Sequence, residues 1–477
     1  MEAAGLAMLG LVIIGLIATG LPAFAVLIGV SVAFAALGVA TGSLPFRLLT
    51  ALPSRIAGLM ETDLLQALPL YVLMGALLDR LPLADILFRA GAAALSHSGA
   101  APLLSALGVG AMLAPMNGSV GASAATLSRV LQPRLAARGV PPGQSLSVVC
   151  VASTLGVVVP PSLVLILLGD TMLRAHTEAI NATGIMARVI NTQDVFRGAL
   201  VPAGLFVFAC AGLAWWTGRE AAAREDSGER LGLRGWSVAI VAPLFILGLL
   251  GGVVAGYLYA VEAAATGALA LAVSGVLTRT LRGDVLGVVL RETMAVTGAL
   301  FALFVAATTF TLVFRAFGSD RLLAEAIAAM PGTATEIAVA VLGLIGLCAL
   351  VLDAFEIILV IVPVVMPPVL IQVPDAVCMA VLTLLVLQTS FLVPPFGYGV
   401  MMVRNRIGQH VALRDLVSGL APYLCAQLLV VIAVVALPQL THVVGVDSER
   451  AAISRRLTPD EVRRQLESLS PISEPPD

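Results

Sequence analysis

Charged residues are missing from long stretches of this chain, and the gaps between them predict its elements. Runs without Asp, Glu, Lys or Arg cover 3–46, 90–128, 139–169, 198–218, 235–261, 293–314, 376–403 and 416–446. An ionised side chain at a bilayer centre costs roughly 2.5–3.5 kcal/mol on insertion scales. About 20 apolar residues cross a bilayer as a helix. Together with shorter runs near 64–78, 263–278 and 337–352, the pattern predicts about a dozen membrane segments in an all-α polytopic protein. Ala23-Phe24-Ala25 resembles a signal-peptidase site, but no basic flank precedes it and the apolar run continues past it. Two helices broken near Gly20-Leu21-Pro22 are expected instead.

Composition agrees and narrows the function classes. Of 477 residues, 59% are hydrophobic and 12% charged, with mean hydropathy +1.02, which excludes a soluble enzyme. All 27 basic residues are arginine, and 29 acids leave a net charge of -2. No basic face is left to neutralise phosphates, so no nucleic-acid partner is expected. Cys150, Cys210, Cys348, Cys378 and Cys425 lie far apart inside apolar runs and read as small hydrophobes. His97, His176, His410 and His442 are scattered, with no HExxH or comparable set. No transition-metal site and no intramembrane enzyme is therefore expected. Three hydrophilic interruptions remain. The stretch 219–234 reads as a linker. The stretch 446–477, with Arg450, Arg455, Arg456, Arg463 and Arg464, reads as a charged tail, and its arginine excess places it on the cytoplasmic side. The stretch 174–197, with His176, Glu178, Asn181 and Asp194, is expected to be a solvated loop.

Self-comparison shows one recurring offset. Gly20 and Gly256 open similar stretches 236 residues apart, and Asn117 and Asp353 keep the same spacing. Pro133 and Pro367 are 234 apart, as are Pro160-Pro161 and Pro394-Pro395. Two related halves are a common plan among secondary transporters. An odd number of spans per half would invert one copy relative to the other.

The matched landmarks fall where a membrane helix is uncomfortable. In the first half, MNGSVGASAATLSRVLQP (116–133) is rich in glycine and serine; in the second, LDAFEIILVIVPVVMPP (352–368) holds Asp353 and Glu356. Each is followed by a double proline, in STLGVVVPPS (153–162) and QTSFLVPPFG (388–397). Proline removes a helical donor, so carbonyls around 154–159 and 389–393 are expected to lack backbone partners. In hydrocarbon such backbone must line a wet cavity or bind a ligand. Asn117, Ser119, Thr154 and Thr389 side-chain oxygens, with main-chain oxygens including those of Gly156, Val159 and Val393, form the hard oxygen set that Na⁺ accepts. Asp353, the deepest acid, is expected to hydrogen-bond or to supply the field for that ion. N–H groups at half-helix starts favour an anion, which makes Gly118, Ser119, Ser123, Pro160, Pro161, Ser162, Pro394, Pro395 and Gly397 the candidate substrate residues. The competing reading is that glycine and serine only permit close packing and the prolines only kink; two such motifs per half at one spacing favour the site. Glu262 is expected to cap its own helix, and Arg129 and Arg315 to snorkel to the interface.

At these residues the chain resembles the large membrane subunit of tripartite ATP-independent periplasmic (TRAP) transporters, the dicarboxylate-type permease. The similarity spans nearly the whole chain. The family's Ser-Gly-Ser-Ser hairpin and following proline are matched by Asn117-Gly118-Ser119-Val120 and Pro133. Its Gly-Thr-Leu-Gly to Pro-Pro-Ser pattern is matched by Ser153-Thr154-Leu155-Gly156 to Pro160-Pro161-Ser162, its Glu-Ala-Ala-Ala by 262–265, and its hairpin aspartate by Asp353. Asn117, Val120, Ser128 and Val393 depart from that pattern. Fewer side-chain oxygens then remain for ions, and main-chain carbonyls must suffice.

The resemblance implies an elevator-type Na⁺ symporter for a small organic acid of the C4-dicarboxylate class, in the bacterial inner membrane. A small membrane subunit and a periplasmic substrate-binding protein are the implied partners; another ion-coupled anion transporter or a channel is the alternative. The implied organisation is scaffold helices 1–80; a first transport half 81–197, with hairpin about 102–133 and broken helix about 145–170; a connecting helix and linker 198–234; scaffold helices 235–318; a second transport half 319–415, with hairpin about 353–374 and broken helix about 376–403; a C-terminal helix 416–446; and the tail 447–477.

Overall fold

The computed structural model describes residues 3–60, 63–184, 188–219, 231–405 and 411–444, and within them every regular element is helical. Most of the linker, the tail and His410 lie outside the described residues.

The N-terminal run splits as its glycine and proline require. Helix α1 (Ala3–Thr19) ends before Gly20, and α2 (Ala23–Ala40) starts after Pro22. Helix α3 (Leu52–Met60) precedes α4 (Asp63–Arg80) and α5 (Leu83–Ala94). A first helical hairpin follows, made of α6 (Ala101–Leu113) and α7 (Val120–Ala137). Next come α8 (Pro142–Val158) and α9 (Leu163–Thr183), separated by the double proline. Helix α10 (Thr192–Gly218) opens with a capping box, in which the Asn191 side chain accepts from Asp194 N at 2.8 Å and Asp194 accepts from Asn191 N at 2.9 Å.

The later half has a related order of elements. Helices α11 (Leu233–Ala255), α12 (Ala260–Leu277) and α13 (Gly283–Ala316) are followed by α14 (Ser319–Ala328). A second hairpin then pairs α15 (Ala334–Cys348) with a return arm made of α16 (Ala354–Glu356), a π-helical stretch (Ile357–Ile361) and α17 (Val362–Gln372). Helix α18 (Ala376–Leu392) meets the second double proline before α19 (Tyr398–Arg404), and α20 (Leu413–Ala436) closes the described chain with a short 3-10 turn. The second hairpin thus begins at Ala334, not near 353. Asp353 sits at its turn, because the outgoing arm is an uninterrupted apolar helix that hydropathy alone cannot tell from a short span.

Burial separates inner from outer helices. The apolar window of the α8–α9 stretch is 94% buried within the protein, whereas that of α11 is 11% buried. Helices α8 and α18 therefore form the centre, wrapped by both hairpins, α10 and α20, while α11, α12 and much of α13 present apolar side chains outward. Eight stretches among the described residues are long and apolar enough to cross a membrane, and four shorter apolar helices accompany them. At about 1.5 Å per residue, hairpin arms such as Ala101–Leu113 cannot span a bilayer alone, so the spans number fewer than the charge-free runs suggest.

Candidate functional site at the hairpin tips

The first tip is built by its small residues. After a 3-10 turn (Pro115–Asn117), Gly118 adopts φ 76°, where a side chain would be strained. Ser119 caps α7, its hydroxyl accepting from Ala122 N at 3.1 Å. Buried Ser123 closes the turn, its hydroxyl donating to the Ala114 carbonyl at 3.2 Å. Asn117 is only 6% exposed, yet neither its amide nitrogen nor its amide oxygen has a partner. A buried amide without bonds costs free energy unless a ligand completes it.

Gly156 brings the first broken helix against this tip. A Cβ there would stand 2.5 Å from the Ala114 carbonyl oxygen and 3.2 Å from Pro115 N, so only glycine permits the approach. Helix α8 ends with Val159 N bonded to Leu155 O at 2.9 Å. The carbonyls of Gly156 and Val157 face Pro160 and Pro161, which have no N–H. The unpaired stretch is thus shorter than 154–159, because Thr154 and Leu155 still lie inside the helical bonding pattern. The Pro160–Pro161 bond is cis, and Ser162 caps α9, its hydroxyl accepting from Leu165 N at 3.1 Å.

The second break mirrors the first in outline and differs in detail. Val393 N bonds Ser390 O at 3.2 Å, and the Val393 carbonyl accepts from Gly397 N at 2.7 Å. Val393 O is therefore not the free carbonyl expected of it, since the turn after cis Pro394–Pro395 folds back onto it. Ser390 and Phe391 are the residues whose helical donors are replaced by proline. A Cβ on Gly399 would lie 2.8 Å from Thr154 Cγ2 and 3.7 Å from Val120 Cγ1. The two broken helices and the first tip therefore meet.

Three of the proposed hydroxyl ligands already make local bonds. Thr154 donates to Val151 O at 3.0 Å and Thr389 to Leu385 O at 2.7 Å, while Ser119 accepts from Ala122 N. A donating hydroxyl keeps lone pairs for a cation, so these residues fit the oxygen set without being freed. Asp353 caps the short α16, its Oδ1 accepting from Ala354 N at 2.7 Å, and Glu356 Oε2 accepts from Asp353 N at 3.1 Å. Asp353 and Glu356 are the acids near Tyr398. The Tyr398 hydroxyl lies 3.2 Å from where a Gly121 Cβ would be, which links the second tip to the first. Tyr398 and Gly399 escaped sequence reasoning, because an aromatic residue and a glycine after a double proline carry no polar signal.

Other residues behave differently from their sequence pattern. The region 174–197 is not a solvated loop throughout: helix α9 runs to Thr183, and buried His176 accepts from Ile190 N through Nδ1 at 3.3 Å. Arg129 and Arg315 do not simply snorkel. Arg129 pairs with Asp79, and Arg315 donates to Glu178 Oε2 at 2.8 Å and to the Pro363 carbonyl at 3.2 Å. Glu262 is exposed and accepts from Tyr259 N at 2.9 Å, in the capping arrangement expected of it. A cavity of about 500 Å³ lies beside the return arm of the second hairpin, lined by Arg55, Asp170, Arg174, Glu178, Thr308 and Arg315 among others.

The model of the family described as "Tripartite ATP-independent periplasmic transporter, DctM component" matches residues 10–440. The chain is also similar to a solved structure, the Alcanivorax borkumensis YdaH transporter, whose crystal structure is said to reveal an unusual topology. The TM-score is 0.56 at 17% identity, over 82% of this chain and 88% of that one. At that identity the likeness speaks for the fold alone. Curated proteins supply no match. Because the family model covers most of the chain, and because its charge-free helices surround two hairpins and two proline-broken helices, this multi-pass membrane protein belongs to the DctM component family of tripartite ATP-independent periplasmic transporters.

Proposed function

We propose that the chain is the large membrane subunit of an importer in the bacterial inner membrane that carries a small organic acid, of the C4-dicarboxylate class, by symport with Na⁺. Its partners on this reading are a small membrane subunit and a periplasmic binding protein that delivers the acid. The two halves are inverted repeats. The scaffold is 1–80 and 235–318, the moving body is 81–197 and 319–415, residues 198–234 connect the halves, 416–446 is a closing helix, and the tail 447–477 faces the cytoplasm. The body carries its cargo past the scaffold as an elevator.

The observation that carries this reading is Asn117, a buried amide with both polar atoms unpartnered, at a tip where two proline-broken helices converge. Its oxygen, the Gly156 and Val157 carbonyls, and the lone pairs on Thr154 and Ser119 are the hard donors that Na⁺ prefers. Val159, Thr389 and Val393 are counted with that set on this reading. Asp353 adds a negative field from the second tip. The N-terminal ends of α7 and α9, at Gly118, Ser119, Ser123 and Pro160-Pro161-Ser162, suit a carboxylate, and Pro394, Pro395 and Gly397 are counted with the substrate residues on this reading. A channel would use the same polar tips, so accumulation decides between the two. Reconstituted with both partners, the protein should concentrate the acid only when Na⁺ is higher outside; uptake that ignores the Na⁺ gradient refutes coupling.

A further inference from the structure

Among the polar contacts between the proposed scaffold and the proposed moving body, which include Gly5 N to Ser319 Oγ at 3.1 Å and Arg197 Nε to the Val254 carbonyl at 2.9 Å, two are ion pairs at the end of a scaffold helix. In the first half Asp79, at the end of α4, accepts from Thr126 Oγ1 at 2.5 Å and pairs with Arg129. Arg129 Nη2 also reaches the Asp79 carbonyl at 3.3 Å. Thr126 and Arg129 both lie on α7, the return arm of the first hairpin. In the second half Arg315, at the end of α13, donates to Glu178 on α9 at 2.8 Å and to the Pro363 carbonyl on α17, the return arm of the second hairpin, at 3.2 Å.

The register of Asp79–Arg129 and Arg315–Pro363 is that of the repeat, whereas Glu178 lies in the first half and its bond to Arg315 is an addition to the shared contact. Asp79 and Arg315 are 236 residues apart, and Arg129 and Pro363 are 234 apart. These are the offsets that relate Asn117 to Asp353 and Pro160 to Pro394. The polarity is exchanged: α4 supplies the anion in one half and α13 the cation in the other. Helix end and hairpin arm thus touch at the same relative place twice, through different chemistry, so the contact position and not a particular pair is what the two halves share.

The ties are poorly suited to permanent fastening. The side chains of Asp79 and Arg129 are 25% and 56% exposed, and those of Glu178 and Arg315 are 43% and 32% exposed; ion pairs at such exposure add little stability. The second tie also borders the cavity of about 500 Å³ between α13 and the α9 and α17 face, where Thr308 and Thr311 line an open gap in place of packed side chains. A weak, wet contact is cheap to break, which a sliding boundary requires. We propose that Asp79–Arg129 and Arg315–Glu178 are clasps, seated at helix ends in matched register, that hold the moving body to the scaffold in one end state and open during every transport step. This rests on the elevator reading above.

The test uses the full chain with its five cysteines replaced by alanine, reconstituted with both partners. The pairs Asp79→Cys with Arg129→Cys, and Glu178→Cys with Arg315→Cys, are oxidised with copper phenanthroline. Both pairs should cross-link, and Na⁺-driven uptake should fall at least about tenfold and return on reduction. Failure of both pairs to cross-link, or uptake that continues unchanged with the clasps covalently closed, overturns the proposal; in the latter case the chain still transports. If the cysteine variants fold poorly, Asp79→Asn and Arg315→Gln replace them. Each should change the maximal uptake rate about two- to fivefold at constant KM, and unchanged rates in both overturn the clasps. Absence of Na⁺-driven uptake in the unmodified protein would instead strike the transport reading.

Discussion

Replacing Gly156 by alanine tests whether the first tip and the first broken helix form one unit. The new Cβ would stand 2.5 Å from Ala114 O, 2.7 Å from Ala114 C and 3.2 Å from Pro115 N. All three are backbone atoms, so no side-chain rotation relieves the clash, and the tip must retreat by about 1 Å to reach ordinary contact. Overpacking of this kind costs about 1–3 kcal/mol. Alanine also gains roughly 0.8–1.0 kcal/mol over glycine in a helix interior, which would mask part of the loss. Gly212 on α10 isolates that gain, because a Cβ there meets nothing within 4 Å. Gly156→Ala should therefore unfold below Gly212→Ala by about 1–3 kcal/mol, read as a lower Tm in detergent. Because the retreat moves Asn117, Gly118 and Ser119 away from Pro160 and Pro161, Na⁺-driven uptake should also fall at least about fivefold. Equal stability of the two alanine variants, with uptake intact in both, would refute the close approach and the site built on it.

Two substitutions separate ion binding from folding. Asn117→Leu removes an amide that makes no hydrogen bond, so the Na⁺-free protein should be at least as stable as the parent. The Na⁺-dependent rise in stability, about 2.7 kcal/mol at a hundredfold excess over Kd for a single site, should vanish in thermal unfolding with and without Na⁺; a retained Na⁺ shift moves the ion elsewhere. Asp353→Asn keeps a side-chain oxygen that caps α16, while Asp353→Ala loses the cap at about 1 kcal/mol. Thermal unfolding should rank alanine below asparagine. Uptake should be impaired in both if the charge acts on the ion, and wild-type uptake by Asp353→Asn would remove that charge from the mechanism.

The helices, the break at Gly20-Leu21-Pro22, the first hairpin turn and both proline breaks were legible because each has a local cause. Charge-free length makes a helix, and proline or glycine ends it. The start of the second hairpin was not legible, since Ala334–Cys348 carries the same apolar pattern as a lipid-facing helix. Arg315 with Glu178 lies beyond reach for another reason: the partners are 137 residues apart, and hydropathy reports removal from water without saying which neighbour removes it. The same holds for His176, whose polar surroundings suggested a loop while its ring packs into the protein. Of the oxygen set, the side chains could be read but the carbonyls could not be assigned, because Val393 O is satisfied by Gly397 N through a turn that only the folded backbone reveals.

The two tips lie 236 residues apart in the chain but are not chemically equivalent, and on the proposed reading the difference gives them separate tasks. At the second, Asp353 commits Oδ1 to Ala354 N, and its own N–H is held by Glu356. Its charge is anchored and directed by the start of a helix. At the first, the cap is supplied two residues later by Ser119, which leaves Asn117 with no task in the turn and both amide atoms open. A neutral oxygen that is unengaged can enclose and release a monovalent ion without dissociating a cap. An anchored carboxylate can lower the energy of that ion without moving. Tyr398, near Asp353 and Glu356 and with its hydroxyl 3.2 Å from where a Gly121 Cβ would be, stands between them. On the proposed symport reading, this difference favours one asymmetric ion site at the first tip, with the second tip as its source of field, over two like sites.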